Sequence, residues 1–190
     1  INSPQLLMLS GIGNAARLQA LGIPVVHDNP NVGQHLNDHQ GINYTYRMTV
    51  PTYNHILRPW WGKLLVGMQY FLTGRGPLAK SINHGGGFFR TSPDLARPNM
   101  QLYLQAFSTL IPRVGERPLL TPDPFSGLSI GLSNCRPTSR GEITLTSADP
   151  LAAPRITANA FSTDQDVAEM LAAVKFVRRI AAHDPLRSLI

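Results

Sequence analysis

The chain has 190 residues, 43% of them hydrophobic and 15% charged, which is the balance of a folded globular protein and excludes intrinsic disorder. Net charge is +6, but Lys and Arg are scattered and Arg178–Arg179 is the only adjacent pair, so the clustered basic face of a nucleic-acid binder is missing. No apolar run approaches the roughly 18 residues of a membrane span, and a single cysteine, Cys135, excludes an internal disulfide or a thiolate metal cluster.

The chain opens on Ile1-Asn2-Ser3-Pro4, which reads as the middle of a motif, so a piece of a longer protein is expected; no secretory leader is evident. Ser3 is placed to cap a helix with Pro4 at its first position. Asn14 is placed to cap a second, Ala15 to Leu21, which Gly22 ends. Val25-Val26 reads as a short extended segment, and 27 to 40 as a polar loop. Ile42, Tyr44, Tyr46 and Met48 alternate with Asn43, Thr45 and Arg47, the pattern of a half-buried strand. Trp61, Leu64, Leu65, Met68, Phe71 and Leu72 recur at helical spacing before Gly74, predicting a helix packed on the core. Strands are predicted at Gly86 to Arg90, Met100 to Ala106, Leu128 to Arg136 and Glu142 to Thr146. The Pro-rich connection from 108 to 126 is of a length that suits a lid or a disordered segment. Ser162 with Gln165 forms a capping box for a last helix, whose apolar side is Val167, Leu171, Val174, Phe176, Val177 and Ile180. A run of strands followed by a helix, without regular alternation, predicts an α+β fold: an antiparallel sheet with helices packed on one face.

Three motifs carry possible chemistry. Gly11-x-Gly13-x-x-Ala16 with Asp28 has the spacing of a dinucleotide loop, in which helix amides face a pyrophosphate and the acid reaches a ribose. Helix–turn–helix is the competing reading, supported by Pro4 and by the shortness of the intervening helix. Gly127-Leu128-Ser129-Ile130-Gly131 matches a nucleophile elbow, but an elbow needs a helix straight after the serine, and here the strand pattern continues. His27, His35, Asp38 and His39 offer metal-ligand types, but the surrounding glycine and asparagines indicate a loop held by hydrogen bonds, and no metal is expected.

Ser3-Pro4-Gln5-Leu6-Leu7-Met8-Leu9-Ser10-Gly11-Ile12-Gly13 resembles the second signature of the glucose–methanol–choline (GMC) oxidoreductases. Val32-Gly33-Gln34-His35-Leu36-Asn37-Asp38-His39 resembles the family's V-G-x-N-L-x-D-H, with His35 in place of the usual Asn. Gly76-Pro77-Leu78-Ala79, Gly86-Gly87-Phe88-Phe89-Arg90, Arg136-Pro137-x-Ser139-Arg140-Gly141 and Ser147-Ala148-Asp149-Pro150 continue the series. The likeness is nearest to the choline dehydrogenase and acceptor-dependent alcohol dehydrogenase branch, and it decides the opening motif: in that family the flavin loop lies well before this segment.

The resemblance implies FAD in the full-length protein but not bound to this chain, oxidation of a CH–OH donor, choline included, by hydride transfer to flavin, and a separate electron acceptor. It implies residues 1–40 leaving the FAD-binding domain and 41–190 forming the substrate-binding domain. The catalytic histidine would lie C-terminal to Ile190, so this chain alone is expected to be inactive. The implied substrate-binding residues are Tyr103, Gln105 and Arg136; Asn37, Asp38 and His39 would lie near the cofactor. His84 stands where alcohol-dehydrogenase relatives often carry Glu, which bears on whether a cation is the substrate. A hydroxynitrile lyase of the same scaffold and a non-catalytic binding module are the alternatives. The expected location is cytoplasmic, free or peripheral to the inner membrane, with a small alcohol as substrate and no nucleic-acid partner.

Overall fold

A computed structural model describes residues 1–109 and 121–190; most of the Pro-rich connection expected over 108–126 therefore lies outside the described residues. In chain order the elements are α1 (Asn2–Leu9), β1 (Ile12–Gly13), α2 (Ala15–Ala20), β2 (His27–Asp28), β3 (Gly41–Arg47), α3 (Tyr53–Leu57), α4 (Trp60–Thr73), a 3-10 turn (Pro77–Ala79), β4 (Gly85–Phe89), β5 (Met100–Gln105), β6 (Gly127–Asn134), β7 (Glu142–Thr144), β8 (Arg155–Thr157), α5 (Asp164–Ala181) and α6 (Leu186–Leu189). They fall into two compact units: residues 1–40 with 136–168, and residues 41–135 with 169–190.

The first unit has a small apolar core of Met8, Leu18 and Ile23, with Leu9, Leu21, Val25, Val32 and Leu145 against it. Asn14 caps α2 as expected, its Oδ1 accepting from the Arg17 N–H at 3.0 Å, an arrangement worth about 1 kcal/mol. α1 departs from expectation: it begins at Asn2, before Ser3, with no side-chain cap. β1 pairs with β2 in parallel, two residues each, so the extended segment expected at Val25-Val26 falls two residues later. The segment around Gly33 runs beside β7: the Ile143 N–H donates to the Gly33 carbonyl at 2.7 Å. Gly33 has φ +81°, and a Cβ there would stand 2.2 Å from the Ile143 carbonyl oxygen, so glycine is required twice over. β7 and β8 form an antiparallel pair; β8 carries no alternation of its own and was not expected from the sequence.

The second unit is built on a four-stranded antiparallel sheet ordered β3-β6-β5-β4. All eight residues of β6 are buried. Register places Ile42, Tyr44 and Tyr46 opposite Leu132, Ile130 and Leu128, and these opposite Leu102, Leu104 and the continuing β5. This is the face that meets residues 169–181 of α5: Phe89 stacks on Phe176 at 4.3 Å, and Asn134 Nδ2 donates to Glu169 at 3.1 Å. The other face carries Asn43, Thr45, Ser129, Gly131, Ser133, Gln101, Tyr103 and Gln105. Burial over β3 alternates as expected, and β6 runs on through Ser129 as a strand, so no nucleophile elbow forms.

Both long helices correct the sequence reading. In α5 the buried side chains are Asp166, Met170, Ala173 and Val177, while Val167 and Leu171 are exposed; the buried stripe starts on a carboxylate, which a count of apolar residues alone cannot phase. Its cap is Thr163, one residue later than expected, whose Oγ1 accepts from the Asp166 N–H at 3.4 Å. In α4 only Gly62 and Val66 are buried. The expectation that its apolar residues pack on the core is overturned: Trp61, Leu64, Leu65, Met68, Phe71 and Leu72 are all exposed.

Candidate functional site

Tyr103 stands at the middle of β5, where register sets it between Gly86 of β4 and Gly131 of β6. Its ring lies flat over Gly131: a Cβ on that glycine would be 1.8 Å from Cε2. Gly41 completes the seat, its Cβ direction pointing within 3.6 Å of the Tyr103 hydroxyl oxygen. The second glycine of the G-x-S-x-G match therefore exists to receive an aromatic ring. Gln105, two residues on and on the same face, donates from Nε2 to Asn83 Oδ1 at 2.8 Å. Next to Asn83, His84 Nδ1 accepts from the Ala106 N–H at 3.3 Å, which leaves Nε2 to carry the proton in the neutral tautomer. The His84 ring stacks on Tyr53 at 5.0 Å.

Tyr53 and His84 line a cleft of 440 Å³ with Leu57, Leu78, Ile82, Phe107, Lys63 and Lys80 among its walls. The size suits a small organic ligand. The walls are mostly apolar, and among the described lining residues there is no carboxylate. The segment that Gln105 holds thus runs directly into this cleft. Arg136, in contrast, belongs to the other compact unit, at the start of 136–168; the structure sets Tyr103 and Gln105 side by side and does not add Arg136 to them.

In the first unit Asn37, Asp38 and His39 are exposed. Asn37 Nδ2 donates to the carbonyls of Pro137 and Ser139 at 3.1 and 3.2 Å, and Asp38 Oδ1 accepts from the His39 N–H at 2.8 Å. Arg140 Nη1 donates to the same two carbonyls at 2.7 and 2.9 Å. The turn 137–140 is held from its other side by Asp166, a residue that sequence reasoning treated only as first-turn charge. Its Oδ1 accepts from the Thr138 N–H and Oγ1 at 2.8 and 2.9 Å, its Oδ2 from the Ser139 N–H and Oγ at 2.8 and 2.5 Å. Burial is the largest influence and pushes this carboxyl up, but the four donors together outweigh it and hold it at about 2. Glu142 is also lowered, by hydrogen bonds from Gln34 and then Arg17. The Tyr46 hydroxyl is raised by burial and by Tyr44, against an opposing pull from Arg178. His27, His35, Asp38 and His39 do not gather: among the described residues no three His, Cys, Asp or Glu side chains converge on a point.

Whether these residues could hold a flavin dinucleotide can be judged at α2. Its first amides are already spent: Ala15 N–H donates to Asp28 Oδ1 at 2.9 Å and Arg17 N–H to Asn14. Leu6 to Leu9, which a dinucleotide loop would need as a strand, end α1. Gly11 has φ +83° and presses against the Pro24 carbonyl, leaving no approach for a phosphate. The Gly11–Ala16 segment does not fit a pyrophosphate, and the helix–turn–helix reading is the correct one.

Residues 137–189 match the family model for the GMC oxidoreductases that describes their C-terminal region. The chain is 35% identical to an oxygen-dependent choline dehydrogenase of Pseudomonas putida over 98% of its own length and 33% of that protein's. It is also 35% identical to an alcohol dehydrogenase [acceptor] of Pseudomonas putida, over 95% of this chain and 32% of the other. The chain thus spans about a third of the length of these relatives. Among solved structures it superimposes on a formate oxidase with a TM-score of 0.85 at 27% identity, covering 99% of this chain and 37% of that one. A pyridoxine 4-oxidase at 20% identity and a TM-score of 0.74, over 98% and 32% of the two chains, shares the fold.

Proposed function

From a chain that belongs to the GMC oxidoreductases, with their mixed fold of helices and antiparallel sheet, we propose the substrate-binding part of an FAD-dependent enzyme that oxidises an alcohol. When bound, the flavin supplies the hydride acceptor. The residues of this chain bind and orient. Tyr103, fixed on its glycine seat, offers a ring for an alkyl chain and a hydroxyl for one hydrogen bond; Gln105 holds the Asn83–His84 wall of the cleft. Residues 1–40 are assigned to the strip leaving the FAD-binding domain, with Asn37, Asp38 and His39 nearest the cofactor. Residues 41–190 are assigned to the substrate-binding domain, with the catalytic base in sequence beyond Ile190. On this reading the 190-residue chain by itself neither retains FAD nor turns over alcohols, and a flavin spectrum from the purified chain would refute that part. The proposed location is cytoplasmic; among the described residues no helix is long and apolar enough to cross a membrane.

The observation that carries the reading is an apolar cleft that, among its described lining residues, holds lysines and a histidine but no carboxylate. A quaternary ammonium would find no counter-charge among those described residues, so an uncharged alcohol is favoured over choline. In the complete enzyme, Tyr103→Ala or Gln105→Ala is expected to change the order of alcohols ranked by kcat/KM, and His84→Glu to raise the value for choline relative to hexanol. If all three variants keep the parent's ranking, the cleft is not the substrate site.

A further inference from the structure

The polar side chains in the wall of the 440 Å³ cleft are, among the described lining residues, Tyr53, Lys63, Lys80, Ser81 and His84. They are a set of donors. A lysine ammonium only donates. His84 is fixed from two sides: its N–H donates to the Leu104 carbonyl at 2.8 Å, and its Nδ1 accepts from the Ala106 N–H at 3.3 Å. The neutral ring then has only its Nε2–H to offer. The Ala106 carbonyl in turn accepts from the Tyr53 N–H at 3.1 Å, so one residue anchors both stacked rings. Ser81 Oγ accepts from the Asn83 N–H at 3.2 Å, and its own proton remains to be donated. Beside Lys63, Gly62 approaches the Ile56 carbonyl so closely that a Cβ would stand 1.9 Å from it. That contact pins the first turn of α4 on α3, and with it the root of Lys63.

No acid opposes these donors. From His39 to Pro93 the sequence has no Asp or Glu, and among the described residues neither Lys63 nor Lys80 is in a salt bridge. Asp123 follows Pro122 of the cleft wall, but it is buried and lines a different hollow, with Arg58. All the described lining residues belong to one compact unit, residues 41–135 with 169–190. A lone hydroxyl would leave most of the donors unmatched. A carboxylate accepts at about four lone-pair sites and makes charge-assisted bonds with each cation. Leu57, Leu78, Ile82 and Phe107 supply apolar wall for the carbon chain between. Taking the cleft as the substrate site proposed above, we infer that it selects a hydroxy acid: an alcohol whose far, non-reacting end is a carboxylate, received by Lys63, Lys80 and His84.

In the complete enzyme, kcat/KM for ω-hydroxyhexanoate is expected to exceed that for hexanol at least about tenfold, mainly through KM, and the ratio to shrink with added salt. Hexanoate, which has no hydroxyl to oxidise, should compete with hexanol, and hexyltrimethylammonium should not. Lys63→Gln and Lys80→Gln should each lower the ratio about fivefold, the upper share of one exposed ion pair. Arg75→Gln, the same change of charge outside the described lining, should leave the ratio at the parent's value. A parent without preference for ω-hydroxyhexanoate overturns the inference, while Tyr103→Ala or Gln105→Ala that still reorder neutral alcohols keep the substrate-site reading standing. An equal fall for Arg75→Gln and Lys80→Gln overturns it too, because diffuse charge would then explain the preference. If Tyr103→Ala, Gln105→Ala and His84→Glu all leave the neutral alcohols in the parent's order, the substrate-site reading itself fails and the hydroxy acid falls with it.

Discussion

α4 and α5 look alike on paper: each repeats large apolar residues every three or four positions, and each ends where a helix should. In the fold they are opposites. Residues 169–181 of α5 bury Met170, Ala173 and Val177 at 6%, 0% and 0% exposure, whereas α4 buries only a glycine and a valine. Periodicity reports that a helix has an apolar face; it does not report what covers that face. α5 is held by its packing and by Asp166. α4 is held by its ends and by the close approach at Gly62.

The largest test of that contrast is a charge in the α5 stripe. Val177→Asp places an unpaired carboxylate at a fully buried position and is expected to cost at least about 4 kcal/mol, read as loss of a cooperative urea transition in the chain. A variant that unfolds near the parent's midpoint would mean that α5 is not packed as described.

Next comes Asp166→Asn, which tests what fastens the first turn of α5. The carboxyl titrates at about 2 in the fold against an ordinary value of 3.8. A folded value below the unfolded one stabilises the protein above pH ~4, and the benefit is lost as pH falls through about 2. The variant should therefore be less stable by about 2 kcal/mol at pH 7, with the gap to the parent closing on acidification. Urea midpoints at pH 7, 4 and 2.5 would measure this; a gap that stays constant with pH would show that no charge is involved.

Gly74 sharpens the other side. It closes α4 at φ +64° with nothing within 4 Å of its Cβ direction, so Gly74→Ala isolates the backbone strain. A cost of about 1 kcal/mol is expected, visible as a lower melting temperature, and no change would mean that α4 frays before its cap. The smallest effect is expected for Phe71→Asp, the same kind of substitution as at Val177 but on the outward arc. It should alter stability by less than about 0.5 kcal/mol. A loss rivalling Val177→Asp would erase the contrast.

Strands and helices were readable in the sequence where a local rule acts alone. Alternation marked β3, and Asn14 and Gly74 marked the ends of α2 and α4. The site was half readable. Tyr103 and Gln105 share a face by alternation, but the seat under Tyr103 is made by Gly86, Gly131 and Gly41, from three different strands, and no local pattern announces it. Asp166 was missed because its partners, Thr138 and Ser139, lie 28 and 27 residues away. The phase of α5 slipped because its stripe contains an acid and an alanine. The dinucleotide-like glycines misled for the reverse reason: spacing was right, but Asn14 and Asp28 satisfy the very amides a phosphate would need.

The strand order has a consequence for how the protein is made. Among the described residues β3 pairs only with β6, and Gly41 meets Ser133 across the sheet. At roughly 5–20 residues per second of synthesis, β3 leaves the ribosome on the order of 4–18 s before its partner does. Throughout that interval a segment with Ile42, Tyr44 and Tyr46 on one side waits with an open edge, while β4 and β5, close in sequence, can already pair. The nascent chain is thus most exposed to aggregation in the window between these two strands, and that is where a chaperone would have the most to protect.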